Sequence, residues 1–560
     1  MESNHHHDDR TTGHRSTGDH RSGCHPTHDH PANGGSEALA ALVRRVRGPV
    51  FLPGDDGYDA ERSGFQLAYR HRPAVIVGAA GADDVAAAVD FAAERGLPVA
   101  VQATGHGLTA ATDGGLLIST RRMAGVRVDP VAGTARVGAG AVWGQVVEAA
   151  ARYGLAPLNG SSPGVGVVGY TLGGGVGLLA RTFGFAADQV RAVELVTADA
   201  RRRRVTADSD PELFGALLGG GHGFGAVTAM EFGLLPVARL YGGRLVFGGD
   251  LVEDALAAYV RWTATVPDEL TSSVALIAYP DIPQLPAALR GRYLAQIRIA
   301  YTGSAAAGER LVAPLRAVGP RVSDELCEMP YAESHTIHQD PSDPHAYLGD
   351  NALLSGVDAA ALWRVAALTG PAAPVMCVVQ LNHLGGALAR RPAVGGAGRR
   401  DAVGHRDARF ALRLLSPLDA ADPAADRATA RALHTEALAA VAPWTVGRSV
   451  NFLFGEGGGG DRTDVGASEA EVARGVHEAA VHRRLAALRA GYDPAGLFRF
   501  PPSAGPVPVP VPLSAVRPVE ASVAAMPEAP PSGNPPSAEE PAEGSAEVPA
   551  AGPAEGPPAR

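Results

Sequence analysis

Residues 159–177 read NGSSPGVGVVGYTLGGGVG, and a run so poor in side chains restricts what the surrounding chain can build. Gly164, Gly166 and Gly169 spell GxGxxG, and Asp188 follows about twenty residues on, the spacing of a dinucleotide-binding fingerprint. That fingerprint has to follow a buried strand and open a helix whose N-terminus meets the pyrophosphate. Here Pro163 and the polar NGSS precede the glycines, and the YTLGGGVG that follows is too rich in glycine for a helix. The run is therefore expected to be a loop. It can wrap a pyrophosphate closely with free backbone N–H groups, or it can make tight turns inside a sheet-rich domain. Glycine density alone does not choose between them.

A chain of 560 residues is long enough for two globular units and tails. Residues 1–36 are polar and histidine-rich (His5, His6, His7, His14, His20, His25, His28 and His30, with Cys24 among them) and are expected to be a disordered tail. Such a tract can bind zinc or nickel, but its spacing is irregular and no metal site is expected. Residues 504–560 are Pro, Ala, Glu and Ser, which cannot bury enough apolar surface to offset chain entropy, so they are expected to be a second tail. The net charge of −10 argues against a nucleic-acid partner. Arg201–Arg204 sit at an expected hairpin tip and read as a solvated turn. Three cysteines without CxxC spacing exclude a disulfide framework, and a reducing cytoplasm fits. The first residues hold no apolar signal core, and no apolar run is long enough to span a membrane.

Between the tails, the first half alternates short signals. Strands are expected at Ala74 to Val77, Val99 to Val101 and Leu116 to Ser119, a helix at 82–95, and a hairpin around Asp129-Pro130 and Gly133. Another helix is expected at 142–153. From 241 to 440 longer alternating runs appear (GRLVFGG, SVALIAY, LAQIRIAYTG, VMCVVQLNHLGG, RFALRLLSP), with helical stretches at 251–263 and 305–317. They predict one antiparallel sheet with helices on one face, hence an α+β chain. GGAGRRDAVG at 395–404 reads as a mobile loop, and a last helix is expected at about 468–490.

Three stretches taken together decide between the two uses of the glycines: VQATGHG (101–107), the run at 159–177, and GGGHGFGAVTAMEF (219–232). In this order they resemble the PCMH-type FAD-binding domain of the vanillyl-alcohol-oxidase superfamily. SVNFLFGEG and GYDPAGLFRF near the end, with LGGAL and GHRDARF, resemble the berberine-bridge-enzyme-like members. The resemblance covers residues 37–503. It implies a two-subdomain FAD-binding domain at 37–240, a substrate-binding domain at 241–440 and a berberine-bridge-like segment at 441–503 returning to the first. It also implies an FAD-linked oxidoreductase, taking a hydride from a small polar substrate (alcohol, sugar, amine or secondary metabolite) to flavin N5, with reoxidation by molecular oxygen. A dehydrogenase using another acceptor, or a flavin-binding protein that has lost catalysis, is the alternative.

The family bonds a histidine to the flavin 8α-methyl carbon, and His106 stands at that position, flanked by Ala103, Thr104, Gly105, Gly107 and Leu108. The position of a second, cysteinyl bond is Ser162, so the resemblance implies a single covalent link. Gly160, Ser161, Gly166, Val167 and Gly169 fall in the same cofactor-binding stretch. Val165 matches the position that governs oxygen access, where valine accompanies oxidases. Tyr170 stands where the family often has a histidine near the ribityl chain, and Val227 on the strand that contacts the adenine side. Asn451 matches a residue near the flavin ring. Ser449 replaces a tyrosine, and Gly215 and Leu218 replace a tryptophan and an arginine. No catalytic base can be named; His383, His405 and Glu456 are the conceivable ones.

Overall fold

The computed structural model describes residues 33–109, 111–283, 285, 287, 289–391, 400–419, 422–455 and 475–498. The histidine-rich segment at 1–32, Glu456 and the tail at 504–560 lie outside them, as do 392–399 and 468–474. The first sheet holds β1 (Val50–Phe51), β2 (Val75–Gly78), β3 (Val99–Gln102) and β4 (Leu116–Ser119) in the order β1-β2-β4-β3. β4 pairs in parallel with both β2 and β3, and the helix Ala82–Glu94 makes the crossover between those two. Every residue of β2 and β4 is buried, which is why they read as unbroken apolar runs. The helix Asn33–Arg45 begins inside the stretch expected to be a tail, because Leu39 and Leu42, one helical turn apart, pack into the core of this sheet.

The second sheet is antiparallel throughout. It orders β5 (Val126–Asp129), β6 (Thr134–Gly138), β7 (Val190–Val196), β8 (Arg202–Val205) and β9 (Ala226–Gly233) as β5-β6-β9-β7-β8. The four arginines are not all in a turn, as the sequence suggested. The reversal runs through 197–201, and Arg202, Arg203 and Arg204 lie on the edge strand, paired with Asp83, Asp199 and Glu231 at 2.7, 2.9 and 3.1 Å.

The third sheet has nine strands, all antiparallel: β10 (Arg239–Gly248), β11 (Leu270–Ala278), β12 (Tyr293–Tyr301), β13 (Ser323–Asp324), β14 (Cys327–Pro330), β15 (Tyr347–Leu354), β16 (Val378–His383), β17 (Phe410–Pro417) and β18 (Thr445–Gly447). Its main path is β13-β10-β12-β11-β16-β17-β15-β18, with β14 also on β10. Alternation gives the two faces different work. Leu245, Ile297, Ile299, Val274, Leu276, Val379, Leu381, Leu412 and Leu414 share one core with the helices Val252–Thr263, Ala305–Arg316, Ala359–Thr369 and Pro423–Ala439. The opposite face carries Arg298, Gln296, Gln380 and Arg413 and looks into a cavity. This is the predicted mixed α+β architecture, with FAD-domain sheets and a large antiparallel substrate-domain sheet.

The end of the segment expected to be a mobile loop is pinned. Asp401 and Ala402 are buried, and the Ala402 N–H donates to the Leu218 carbonyl at 2.7 Å. Gly215 permits this, since a Cβ there would lie 2.3 Å from the Arg400 carbonyl oxygen. The residues that replace a tryptophan and an arginine are thus a close-packing site for residues 400–402. The last helix runs Ala479–Tyr492, after a break at His477 and Glu478 that separates it from helical residues 475–476; residues 468–474 of the predicted helix lie outside the described residues.

Candidate functional site

β3 ends at Gln102 and the chain turns sharply through Ala103, Thr104 and Gly105. Gly105 has φ +68°, and a Cβ on it would come within 2.6 Å of the Gly64 Cα, so only glycine fits. The partner segment is held by Phe65 N–H to the Thr104 carbonyl (2.8 Å) and Gln66 N–H to the Gly105 carbonyl (3.1 Å). This close approach stacks the His106 ring on Phe65, centroids 3.9 Å apart and planes 12° apart. His106 Nδ1 is 2.9 Å from the Thr104 hydroxyl, which also accepts from the Gly166 N–H at 3.3 Å. His106 Nε2 is buried with no partner among the described residues. Burial, with a smaller contribution from neighbouring His345, lowers its pKa to about 4, so the ring is neutral at pH 7.

His106 faces a cavity of about 2780 Å³ between the glycine-rich segments and the polar face of the nine-stranded sheet. That exceeds the roughly 300–1,000 Å³ of a drug-sized ligand site and leaves room for a dinucleotide with a second molecule beside it. Ala103, Thr104, Gly105, Gly107, Leu108, Gly160, Ser161, Ser162, Val165, Gly166, Gly169, Tyr170 and Asn451 line it with His106. Two residues expected in the same set do not: Val167 is fully buried and Val227 nearly so, both in the core of the second sheet. Gly225, two residues before Val227, does reach the wall; with φ +146° and a Cβ that would lie 2.4 Å from the Val196 carbonyl oxygen, the position requires glycine.

The glycine run is not wholly a loop. Val167–Leu172 is a short helix following Gly166. Only Gly169 interrupts it, because Gly173, Gly174 and Gly175 all fall beyond its end. The element before it is the helix Trp143–Ala151 and not a strand, however, and Asp188 is no ribose ligand: it is buried and accepts from both Arg406 Nη atoms at 2.7 and 3.2 Å. Tyr170 packs edge-on against Trp143, and its hydroxyl is buried without a partner among the described residues. Burial pushes that phenol well above its ordinary pKa, so it stays protonated. The Tyr170 carbonyl accepts from the Asn451 side chain at 2.9 Å, tying the returning C-terminal segment to the glycine-rich one.

Of the three conceivable bases, His383 lies outside the cavity wall, 3.0 Å from Arg181 and stacked on Phe410. Burial and the Arg181 charge drop its pKa to about 3. His405 also lies off the wall, with Nε2 3.1 Å from the Gly475 carbonyl. Ser449 is gripped through its backbone by Asn351, at 2.7 and 3.0 Å. A phenol nevertheless stands in the wall. Tyr347 on β15 donates to the His106 carbonyl at 2.6 Å, and burial holds it protonated. The sequence reading missed Tyr347 and the charged group Arg298, Arg413, His338 and Asp340. A signal existed for Arg298 and Gln296, which alternate with Ile297 and Ile299 in LAQIRIAY.

Residues 73–206 match the family described as FAD binding domain. The chain is 31% identical over 299 residues to (R)-6-hydroxynicotine oxidase of Paenarthrobacter nicotinovorans, covering 51% of this chain and 62% of that protein. It is 24% identical over 474 residues to an FAD-linked oxidoreductase of Dictyostelium discoideum, covering 83% of this chain and 96% of the other. In structure it is similar to 6-hydroxy-D-nicotine oxidase from Arthrobacter nicotinovorans, with TM-score 0.69 and 27% identity over 81% of this chain and 97% of that one. A BBE-like protein of Physcomitrella patens shares the fold at TM-score 0.68 and 18% identity, covering 83% of this chain and 99% of that one. The orphaned His106 Nε2, the glycine-lined turn and the size of the cavity fit a bound flavin dinucleotide. The chain thus carries an FAD-binding domain over residues 73–206, and its neighbours in sequence and structure are FAD-linked oxidoreductases, BBE-like proteins among those that share its fold.

Proposed function

We propose that the protein is an FAD-dependent oxidase of a small polar molecule, with the flavin held by one covalent bond to His106. The observation that carries this reading is the neutral, buried His106 ring with an unpartnered nitrogen at the mouth of a glycine turn. A neutral imidazole is a nucleophile, whereas an imidazolium has no lone pair to give. His106 Nε2 is the nitrogen that would hold the flavin at its 8α carbon, the buried neutral ring supplying the lone pair. Ser162 lines the same cavity, but a hydroxyl forms no thioether, so no second tether is expected there. When bound, FAD supplies the two-electron acceptor, taking hydride from substrate at N5 and handing the electrons to molecular oxygen.

The protein's own residues have four tasks. Phe65 and Thr104 fix the plane and rotation of His106. The backbone of 160–169 supplies close approach to the dinucleotide. Asn451 locks the C-terminal segment over Tyr170, and Val165 leaves the wall small where oxygen would enter. The names of the nicotine oxidase relatives specify a hydroxynicotine substrate; here the substrate is set by the sheet face described below.

The test is acid denaturation. Yellow colour that stays in the precipitate and maps by peptide mass to the fragment containing His106 supports the tether, and flavin released wholly to the supernatant refutes it. Oxidase chemistry is read separately: reduced flavin that stays reduced for minutes in air would exclude oxygen as acceptor. The serine at 449 favours one other reading, a flavin-binding protein without turnover, for which no alcohol, sugar, amine or acid would bleach the flavin.

A further inference from the structure

Strands β12, β11, β16 and β17 lie side by side, so their cavity-facing residues form rows. One row sets Arg298 opposite Ser273 and Ser273 opposite Asn382. The next runs from Gln296 through Ala275 to Gln380 and Arg413. Arg298 is only 5% exposed, and its guanidinium donates to two neutral amides, Gln380 at 3.2 Å and Gln296 at 3.1 Å. Its Nε has no partner among the described residues, and neither does the buried Ser273 hydroxyl opposite. Arg413 lies over the Phe452 ring at 3.8 Å and donates no hydrogen bond among the described residues. Two unpartnered buried donors in adjacent positions of one wall are a costly arrangement unless something else accepts from them.

The charges do not cancel either. Asp340 is the carboxylate within electrostatic reach of both arginines, and it already accepts from the Ser161 hydroxyl. Asp350, which lines the same cavity, is paired with Arg448 at 3.3 Å. His338, beside Asp340, is kept neutral by burial and by Arg298. Two guanidinium groups therefore face one carboxylate, leaving one positive charge in excess on this wall of the cavity.

We propose that this sheet face is an anion subsite, and that the substrate carries a carboxylate taken by Arg298 and Arg413. The proposal deepens the oxidase reading and rests on it for what lies alongside. Arg413 is within electrostatic reach of both Tyr170 and Tyr347, and Tyr347 bonds to His106, so an acid anchored here has its far end toward the tethering histidine. The Arg298 Nε–H and the Ser273 hydroxyl both donate to the incoming carboxylate, whose second oxygen faces Arg413. A cationic amine is repelled by the same surface, which separates this protein's substrate from a protonated amine.

The test uses the full-length holoprotein and matched pairs of probes: benzoate with benzamide, lactate with lactamide, gluconate with glucose. Binding is followed by equilibrium dialysis and by perturbation of the flavin spectrum. At least one acid is expected to bind ~10-fold or more tightly than its neutral partner, as a charge-assisted hydrogen bond in a buried site gives. Arg298→Gln and Arg413→Gln should each bring that ratio close to one, and Arg298→Lys should keep part of it. Equal affinity for acids and neutral partners, no binding of any acid, or a preference that survives both glutamine variants overturns the subsite. Thermal unfolding checks that each variant is folded; Arg413→Gln, at a less buried position, carries the test if Arg298→Gln is not. Dialysis needs no colour, so a colourless preparation that still prefers acids refutes the flavin reading and leaves the anion subsite standing.

Discussion

His106 is held neutral by its burial, with His345 adding to the effect, and this has a measurable consequence for cofactor loading. With a pKa near 4 in place of the ordinary 6.5, the nucleophilic form persists far into acid. Covalent loading of apoprotein with FAD should be flat from about pH 8 to about pH 5 and fall only toward pH 4, where an unshifted histidine would already have lost half its rate near 6.5. Counting covalent flavin in acid-precipitated protein against pH checks this. Thr104→Val removes the hydroxyl 2.9 Å from Nδ1 that also binds the Gly166 N–H. Loading should slow by roughly tenfold or more, since the ring is no longer fixed for attack. The same assay reads it, and the variant should fold normally.

At the scale of elements, the turn after β3 depends on two glycines whose backbones nearly touch. Gly105→Ala would place a Cβ 2.6 Å from the Gly64 Cα at φ +68°. It should cost about 1–3 kcal/mol in urea unfolding and lower flavin retention. A buried ion group joins the FAD-domain segment at Asp188 to residues 401–406, with Arg406 at 2.7 Å from Asp188 and 3.2 Å from Asp401. Arg406→Ala removes the guanidinium shared by two buried carboxylates, leaving Asp401 with Arg391 at 3.9 Å and Asp188 with the Phe185 N–H, and should destabilise by about 3 kcal/mol in the same experiment. Strands with long apolar runs were legible: LAQIRIAY gave β12 nearly to the residue, and SVALIAY gave the last six residues of β11. β15 was not, because YLGDNALL carries Gly349, Asp350 and Asn351, which argue against a strand. Its polar residues are held there in part by distant partners, Arg448 and the Ser449 backbone. The helix Val167–Leu172 was hidden for a local reason, since glycines flank it on both sides.

Across the whole molecule, buried neutral histidines set the response to acid. His383, His434 and His477 are each less than 9% exposed, and burial lowers their pKa values to about 3, 4 and 4. Between the ordinary 6.5 and those values the unfolded chain binds more protons than the folded one, so stability is full above 6.5 and lost as pH falls. Each such histidine contributes up to about 1.4 kcal/mol per pH unit in that window. The melting temperature should therefore drop steeply from about pH 6.5 toward about pH 4, and His434→Gln should shallow the decline. The site shows the same division between near and far. Its flavin side is written in stretches contiguous in sequence, so VQATGHG and NGSSPGVGVVG could be read directly. Its substrate side gathers Arg298, Asp340 and Arg413 from three separate elements, and no spacing in the chain announces their meeting. That wall is nonetheless the part freest to diverge. Because the pleat assigns folding to one surface of the nine-stranded sheet and recognition to the other, substitutions at Gln296, Ser273, Gln380 and Asn382 alter which molecule is chosen without touching the packed layer behind them. A lineage carrying this sheet can exchange one diet for another while its foundations stay in place.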